Sequence, residues 1–346
     1  MKTMMQAAVC TGLETMEIQS VPVPKPGPGE VLVEVKATGL CGSDVDGYVG
    51  HHPMIEWPII LGHECSGIIA AVGSGVKEWQ PGDAVVVEPF FTCKTCSACK
   101  RGQYNLCVDL KIIGHQIPGS LAEYVLAEAG FVHRKPANLS FAEAALSEPV
   151  SGALHAVERT GIRLGDQVVV IGCGTIGSLA MQHALNKGAE VMISEPMAFK
   201  REAAKNLGVH QVVDPTSESL RDRVQAWTSG VGADCVIEAV GLPETLAETV
   251  KLVRRGGTVM LIGWSGQESD AIDLTTVTLD ELTLLGTLGF CHDYPTSLKL
   301  MGQNKVTVAP LLTHRLPLTQ VERGLQMLKN HEAGVWKIAI TSEEVV

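Results

Sequence analysis

Aromatic side chains are scarce in this chain, with six Phe, five Trp and four Tyr among 346 residues. Basic residues are also outnumbered. The 27 Lys and Arg face 38 Asp and Glu, which leaves a formal net charge of −11 and a pI near 5.5. That balance disfavours nucleic acid or an anionic membrane as the main partner. No export signal is legible: the opening residues carry one lysine and a weakly apolar stretch broken by Gln6 before Glu14. Nor is there a convincing membrane span. The longest uncharged stretch, Gln167 to Asn186, approaches the required length but contains Gly172, Gly174, Gly177, Gln182 and His183. Internal repeats and low-complexity tracts are absent too. A reducing cytoplasm is therefore the expected location.

The 45% hydrophobic and 19% charged composition suits full-sized cores and excludes disorder. At about 150 residues per domain the length suggests two domains or three. Glycine is abundant, with 36 residues, and there are ten cysteines. Cys93, Cys96, Cys99 and Cys107 are clustered while the others are scattered, which points to a metal before a disulfide framework.

Up to about residue 150 the chain reads as β-rich. Val31 to Val35, Ser66 to Val72 and Ala84 to Val87 are short strand candidates between Pro/Gly-marked loops, a pattern that suggests a compact barrel. From about Gly165 strands alternate with helices. Val168 to Ile171, Glu190 to Ser194, Gln211 to Val213, Asp234 to Ala239, Thr258 to Ile262 and Leu282 to Leu285 are six expected strands. Between them fall expected helices at Ile176 to Lys187, Arg201 to Leu207, Leu220 to Trp227 and Glu244 to Leu252. This rhythm specifies an α/β Rossmann domain with a doubly wound parallel sheet of six strands. A helix over Leu318 to Asn330 and a strand over Lys337 to Ile340 close the pattern.

Gly172-Cys-Gly-Thr-Ile-Gly177 directly follows a strand and opens a helix. There Gly172 permits the tight turn and Gly174 lets a pyrophosphate approach the backbone. Gly177 lets helix and sheet pack closely, and the N–H groups around Thr175 and Ile176 face the phosphates. Glu195, 23 residues after Gly172, stands where a carboxylate accepts hydrogen bonds from the adenosine ribose and repels a 2′-phosphate. NAD is thus favoured over NADP, with Lys200 and Arg201 as the counterargument. Cys173, inside the turn, is the thiol at which oxidation could inhibit.

Four thiolates in Cys93-x2-Cys96-x2-Cys99-x7-Cys107 satisfy a tetrahedral zinc completely, the structural type of site. An iron–sulfur cluster is the alternative for four cysteines. A second set is more dispersed: Cys41 in Gly39-Leu-Cys-Gly-Ser-Asp44, His63 in Gly62-His-Glu64, and Glu148 in Ser147-Glu-Pro149. Each has a bland reading alone, and chemistry does not join them.

At these residues the chain resembles the zinc-dependent medium-chain dehydrogenase/reductase superfamily. The resemblance rests on Gly39 to Asp44, Gly62-His-Glu-Cys-Ser-Gly67, Pro81-Gly-Asp83, the four-cysteine lobe, Gly119-Ser-Leu-Ala-Glu-Tyr124, Glu148-Pro149 and Gly172 to Gly177, in the family's order. The segment Glu148 to His155 looks most like the polyol and vicinal-diol branch, which includes sorbitol and butanediol dehydrogenases. The resemblance implies a GroES-like catalytic domain over residues 1–150 with a zinc lobe at 93–107. It further implies an NAD-binding domain over 151–287 and a return segment over 288–346.

It also implies a catalytic zinc on Cys41, His63 and a carboxylate, either Glu64 or Glu148. Ser43 matches the hydroxyl that contacts substrate oxygen, and Asp44 the carboxylate that orients the zinc histidine. Asp46 stands where many alcohol dehydrogenases carry a relay histidine, so Asp46, His51, His52 or water must finish the relay. His51 and His52 otherwise read as solvated loop residues. Tyr48, Trp57 and Phe290 align with pocket positions and are equally explicable as packing. The implied reaction is NAD-linked oxidation of a secondary alcohol, polyol or vicinal diol to a ketone. Threonine and sugar phosphates are alternative substrates, and a non-catalytic NAD/zinc-binding member or a zinc-free reductase are the competing classes. A homotetramer or homodimer through the edge strand near Leu282 to Leu288 is the family expectation.

Overall fold

Alternating apolar residues in Glu30–Gly39 and Glu64–Val72 give each strand a face to bury, and the two pair antiparallel. The structure, a computed structural model, describes residues 2–264, 269 and 271–342. The chain divides into two units, Met1–Glu148 with Tyr294–Val346, and Pro149–Asp293. The boundaries expected from sequence stood at 150/151 and 287/288, and the final residues of the return segment lie outside the described residues.

In the first unit a seven-stranded sheet centres on Glu30–Gly39. Glu64–Val72, Tyr124–Glu128 and Lys337–Thr341 all pair with that strand, so the chain's end is stitched into its beginning. Val31, Val33, Ile69, Val85, Val87 and Val125 fill one core. A second core lies under the hairpin Met4–Gly12 and Thr15–Pro22, where Ala7, Ala8, Leu40, Leu61 and Leu325 meet. The stretch expected as one helix from Leu318 begins instead as a 3-10 turn, Leu318–Gln320, followed by the helix Val321–Lys329. Gly324 lets this helix lie against Leu40, whose side chain a Cβ would meet at 2.7 Å.

In the second unit six strands run parallel in the order Gln211–Val213, Glu190–Ser194, Gln167–Ile171, Ala233–Glu238, Val253–Leu261, Thr283–Gly286. This is the doubly wound order 3-2-1-4-5-6. The central strand is a run of buried valines, Val168 to Val170, as a strand covered on both faces requires. The fifth strand starts five residues earlier than expected, because Arg254 and Arg255 read as loop. Arg254 lies 2.7 Å from Asp234 and Arg255 2.9 Å from Asp280, while Val253 pairs with Ala233 ahead of a register shift and regular pairing resumes at Thr258. Among the described residues no helix is long and apolar enough to cross a membrane.

Candidate metal centre and dinucleotide cradle

Cys41 lies two residues beyond the end of Glu30–Gly39, and His63 immediately before Glu64–Val72. The antiparallel register pairs Gly39 with Glu64, so the two loops emerge side by side. A Cβ at Gly39 would collide with the Glu64 carboxylate, and the bare glycine gives that side chain its place. Cys41, His63 and Glu64 each offer a ligand atom, all within 4.8 Å of one another. Glu64 is fully buried and its Oε2 has no hydrogen-bond partner. An orphaned buried carboxylate oxygen is costly, and a cation held with Cys41 and His63 would satisfy it. The donor set of one thiolate, one imidazole and one carboxylate suits zinc.

Asp44 braces the cluster. Its Oδ2 accepts a hydrogen bond from the Cys41 N–H at 2.8 Å, its Oδ1 accepts one from the Gly62 N–H at 2.9 Å, and the same oxygen is 3.6 Å from His63 Nδ1. Burial alone would raise the Asp44 carboxyl, but His63 and the N–H donor outweigh it and hold it below the ordinary value. On the other side Lys337, from the last strand, donates to Glu64 Oε1 and to the Leu40 carbonyl at 2.8 Å. Burial would lower its ammonium, and the Glu64 charge raises it instead. Nothing local announces Lys337 in the sequence except its presence as a lone charge in the apolar run Val335 to Ile340.

Ser43 is half-buried on the first turn of the helix Gly42–Tyr48. Glu148 does not join the three ligand atoms. Its carboxyl is raised to about 7, by burial first and by Glu64, with His63 and Lys337 opposing. His51 is exposed, but His52 is only 7% exposed, which corrects its reading as a solvated loop residue. Its ring lies 4.6 Å from that of His115, and the His115 ring lies 5.1 Å from that of His63. Sequence reasoning missed His115. Asp46 is half-buried, and desolvation raises its carboxyl against the pull of His51. Tyr48 is fully buried in the core with its hydroxyl donating to Glu322 at 3.0 Å, so it serves packing. Trp57 is 37% exposed, its Nε1 donating to the Gly47 carbonyl at 3.0 Å, and Phe290 is buried.

The sulfurs of Cys93, Cys96, Cys99 and Cys107 also lie within 4.8 Å of one another. Backbone N–H groups point at them: Cys93 N to Cys107 Sγ at 3.3 Å, Cys96 N to Cys93 Sγ at 3.3 Å, and Asp109 N to Cys107 Sγ at 3.4 Å. Such donors stabilise thiolates, and those of Thr95 and Cys96 bring the Cys93 thiol down to about 6. Sulfurs at about 2.3 Å from one tetrahedral zinc stand roughly 3.8 Å apart, which this cluster can reach with small adjustments.

In the second unit Gly172 has φ +90°, and a Cβ there would meet Val240 at 2.6 Å. At Gly177 a Cβ would collide with the Gly172 carbonyl. At Gly174, the residue that caps Thr175–Asn186, a Cβ would meet nothing. The first and third glycines thus answer to conformation and packing, while the second leaves the helix N-terminus open to a ligand. Glu195 closes the second strand, 5% exposed, accepting the N–H groups of Cys173 and Met197, both at 2.8 Å. Arg201 donates to the carbonyls of Glu195 and Pro196 and pairs with Asp214 at 2.8 Å. Lys200 lies in the first turn of Ala198–Asn206, its ammonium 5.8 Å from the Phe199 ring centre. Cys173 is fully buried and its thiol is raised to about 12 by burial and by Glu195, so it is no oxidation target.

Comparison with known proteins agrees with this geometry. The alcohol dehydrogenase GroES-like domain family matches residues 27–137, and the zinc-binding dehydrogenase family matches residues 175–303. The chain is 34% identical over 332 residues to the sorbitol dehydrogenase of Bacillus subtilis, covering 93% of this chain and 94% of that one. It superposes with a TM-score of 0.90 on a zinc-binding dehydrogenase of Sinorhizobium meliloti bound to NADP, at 31% identity, covering 98% of this chain and all of the other. For the 2R,3R-butanediol dehydrogenase of Bacillus subtilis the TM-score is 0.89 at 29% identity, covering 98% of this chain and 100% of that chain. The chain therefore belongs to the zinc-dependent medium-chain dehydrogenase/reductase superfamily, as an oxidoreductase of its alcohol and polyol dehydrogenase class.

Proposed function

We propose that this protein oxidises a secondary hydroxyl of a polyol or vicinal diol to a ketone and passes the hydride to NAD. The observation that carries the reading is the convergence of Cys41, His63 and Glu64 around an orphaned carboxylate oxygen. The sorbitol and butanediol dehydrogenase relatives support the substrate class. Of the two carboxylates, Glu64 is the protein ligand and Glu148 acts through water. Zinc held by these three residues supplies Lewis acidity toward a hydroxyl oxygen. Asp44 fixes both ligand loops, and Lys337 neutralises part of the Glu64 charge so that the carboxylate stays buried. Ser43 takes the proton of the substrate hydroxyl as it passes its own hydroxyl proton onward. The remaining relay runs through Asp46 or water, because His51 is exposed and His52 is engaged by its neighbours.

Cys93, Cys96, Cys99 and Cys107 hold a structural zinc, four thiolates filling a tetrahedral site with no open position, and no second cluster pattern favours iron and sulfur. The first unit carries the chemistry and the second the cofactor, on Gly172, Gly174, Thr175, Ile176 and Gly177 with Glu195 at the ribose. NAD is preferred over NADP, even though the Sinorhizobium relative holds NADP. Glu195 occupies the ribose position, and Arg201 is spent on its own loop and Asp214. Lys200 then contacts the cofactor without specifying a phosphate. The edge strand Thr283–Gly286, flanked by exposed Leu279 and Leu288, joins subunits into a dimer or tetramer. The cytoplasm is the setting that keeps these thiols reduced.

The test is a panel of polyols, vicinal diols, amino alcohols and sugar phosphates given to zinc-loaded protein with NAD or NADP. NADH formation from polyols or diols, at higher kcat/KM than with NADP, supports the reading. Turnover confined to threonine or sugar phosphates overturns it.

A further inference from the structure

Gly114 has φ +81°, and a Cβ there would meet the Gly62 carbonyl at 2.6 Å. Gly119 likewise lies so close against the Leu61 carbonyl that no side chain fits. These two glycines press the turn between them onto the loop that carries His63. The residue delivered to that loop is His115, edge-on to His63 and tilted against His52. His52 has its own anchor, its Nδ1 accepting the Met54 N–H at 3.3 Å. His115 is 7% exposed, and neither of its ring nitrogens has a hydrogen-bond partner. A buried imidazole with both nitrogens unanswered is costly, and a fold that keeps one beside a ligand cluster calls for a partner.

We infer that His115 is a specificity-determining residue, binding a second hydroxyl of the substrate next to the one oxidised. This rests on the alcohol-oxidising reading above and assigns to one residue the contact with the second hydroxyl that a polyol or diol carries. A neutral imidazole offers a donor on one ring nitrogen and an acceptor on the other, and a hydroxyl can pair with either of them. A substrate with a single hydroxyl leaves that nitrogen unpaired. Sites built to hydrogen-bond a substrate group discriminate strongly against analogues that lack it, whereas apolar pockets discriminate weakly. The glycine-pinned turn gives the selection its rigidity.

The experiment compares butane-2,3-diol with butan-2-ol on zinc-loaded wild type, His115→Leu and His115→Gln. The ratio of kcat/KM for diol over mono-alcohol should fall about tenfold or more in His115→Leu. The loss should lie mainly in KM for the diol, and His115→Gln, which keeps a donor and an acceptor, should recover much of it. An unchanged ratio in His115→Leu overturns the assignment, as does an equal loss in His115→Gln. If the wild type oxidises neither alcohol, the polyol panel decides the function proposed above. The decision on His115 then falls to binding, read as the rise in melting temperature given by the diol beyond that given by butan-2-ol. That excess should vanish in His115→Leu and persist in His115→Gln; an excess equal in all three proteins overturns the inference.

Discussion

Lys337 reaches Glu64 across 273 residues of chain, and both are almost wholly buried. Removing one partner of a buried pair leaves an uncompensated charge, at a cost of about 3–5 kcal/mol. Lys337→Met should therefore lower the stability of the metal-free protein by about that amount in urea unfolding. Adding Glu64→Gln to it should restore most of the loss, since the stranded charge is gone. Additive losses in the double variant would show that the pair is not coupled. At this scale the sequence was legible where residue types form local patterns, as at Cys93 to Cys107 and Gly172 to Gly177. It was silent where the site depends on register. Cys41 and His63 became neighbours through the pairing of Gly39 with Glu64, and His52 became buried through His115, and no local spacing encodes either event.

The helix Thr175–Asn186 shows how an element carries two duties. Its N-terminus opens at the glycine cradle, while His183 in its last turn is 1% exposed, Nε2 facing the Val150 carbonyl at 3.1 Å. Burial lowers the His183 imidazole to about 4, so the folded state keeps it neutral where an unfolded chain, with an ordinary value of 6.5, takes up a proton. The sign follows: this contribution is complete above the ordinary value and declines as pH falls toward about 4, by about 1.4 kcal/mol per pH unit. The melting temperature of the wild type should fall faster between neutral pH and pH ~5 than that of His183→Gln. Parallel pH profiles for the two proteins would contradict this. Elements of the Rossmann unit were readable because each buried strand and amphipathic helix is a local pattern. The early start of Val253–Leu261 was not, because it depends on Val253 pairing with Ala233 across a register shift that no local pattern encodes.

Across the whole molecule, the acidic balance disfavours nucleic acid or an anionic membrane as the main partner, and the two metal-ligand clusters do not name a substrate. The six-strand order and the β-rich unit were both legible as rhythms of the sequence. The strand that closes the first unit, Lys337–Thr341, was legible as a strand, but its pairing with Glu30–Gly39 was not, since nothing local selects a partner three hundred residues away. In the function proposed, Cys41, His63 and Glu64 form the centre at which a secondary alcohol is oxidised. The most direct measurement is NADH formation from a vicinal diol by zinc-loaded Cys41→Ser beside wild type, with zinc per chain counted on the same samples. Turnover should be lost while bound zinc falls from two per chain to one, and wild-type turnover in Cys41→Ser would rule out this centre.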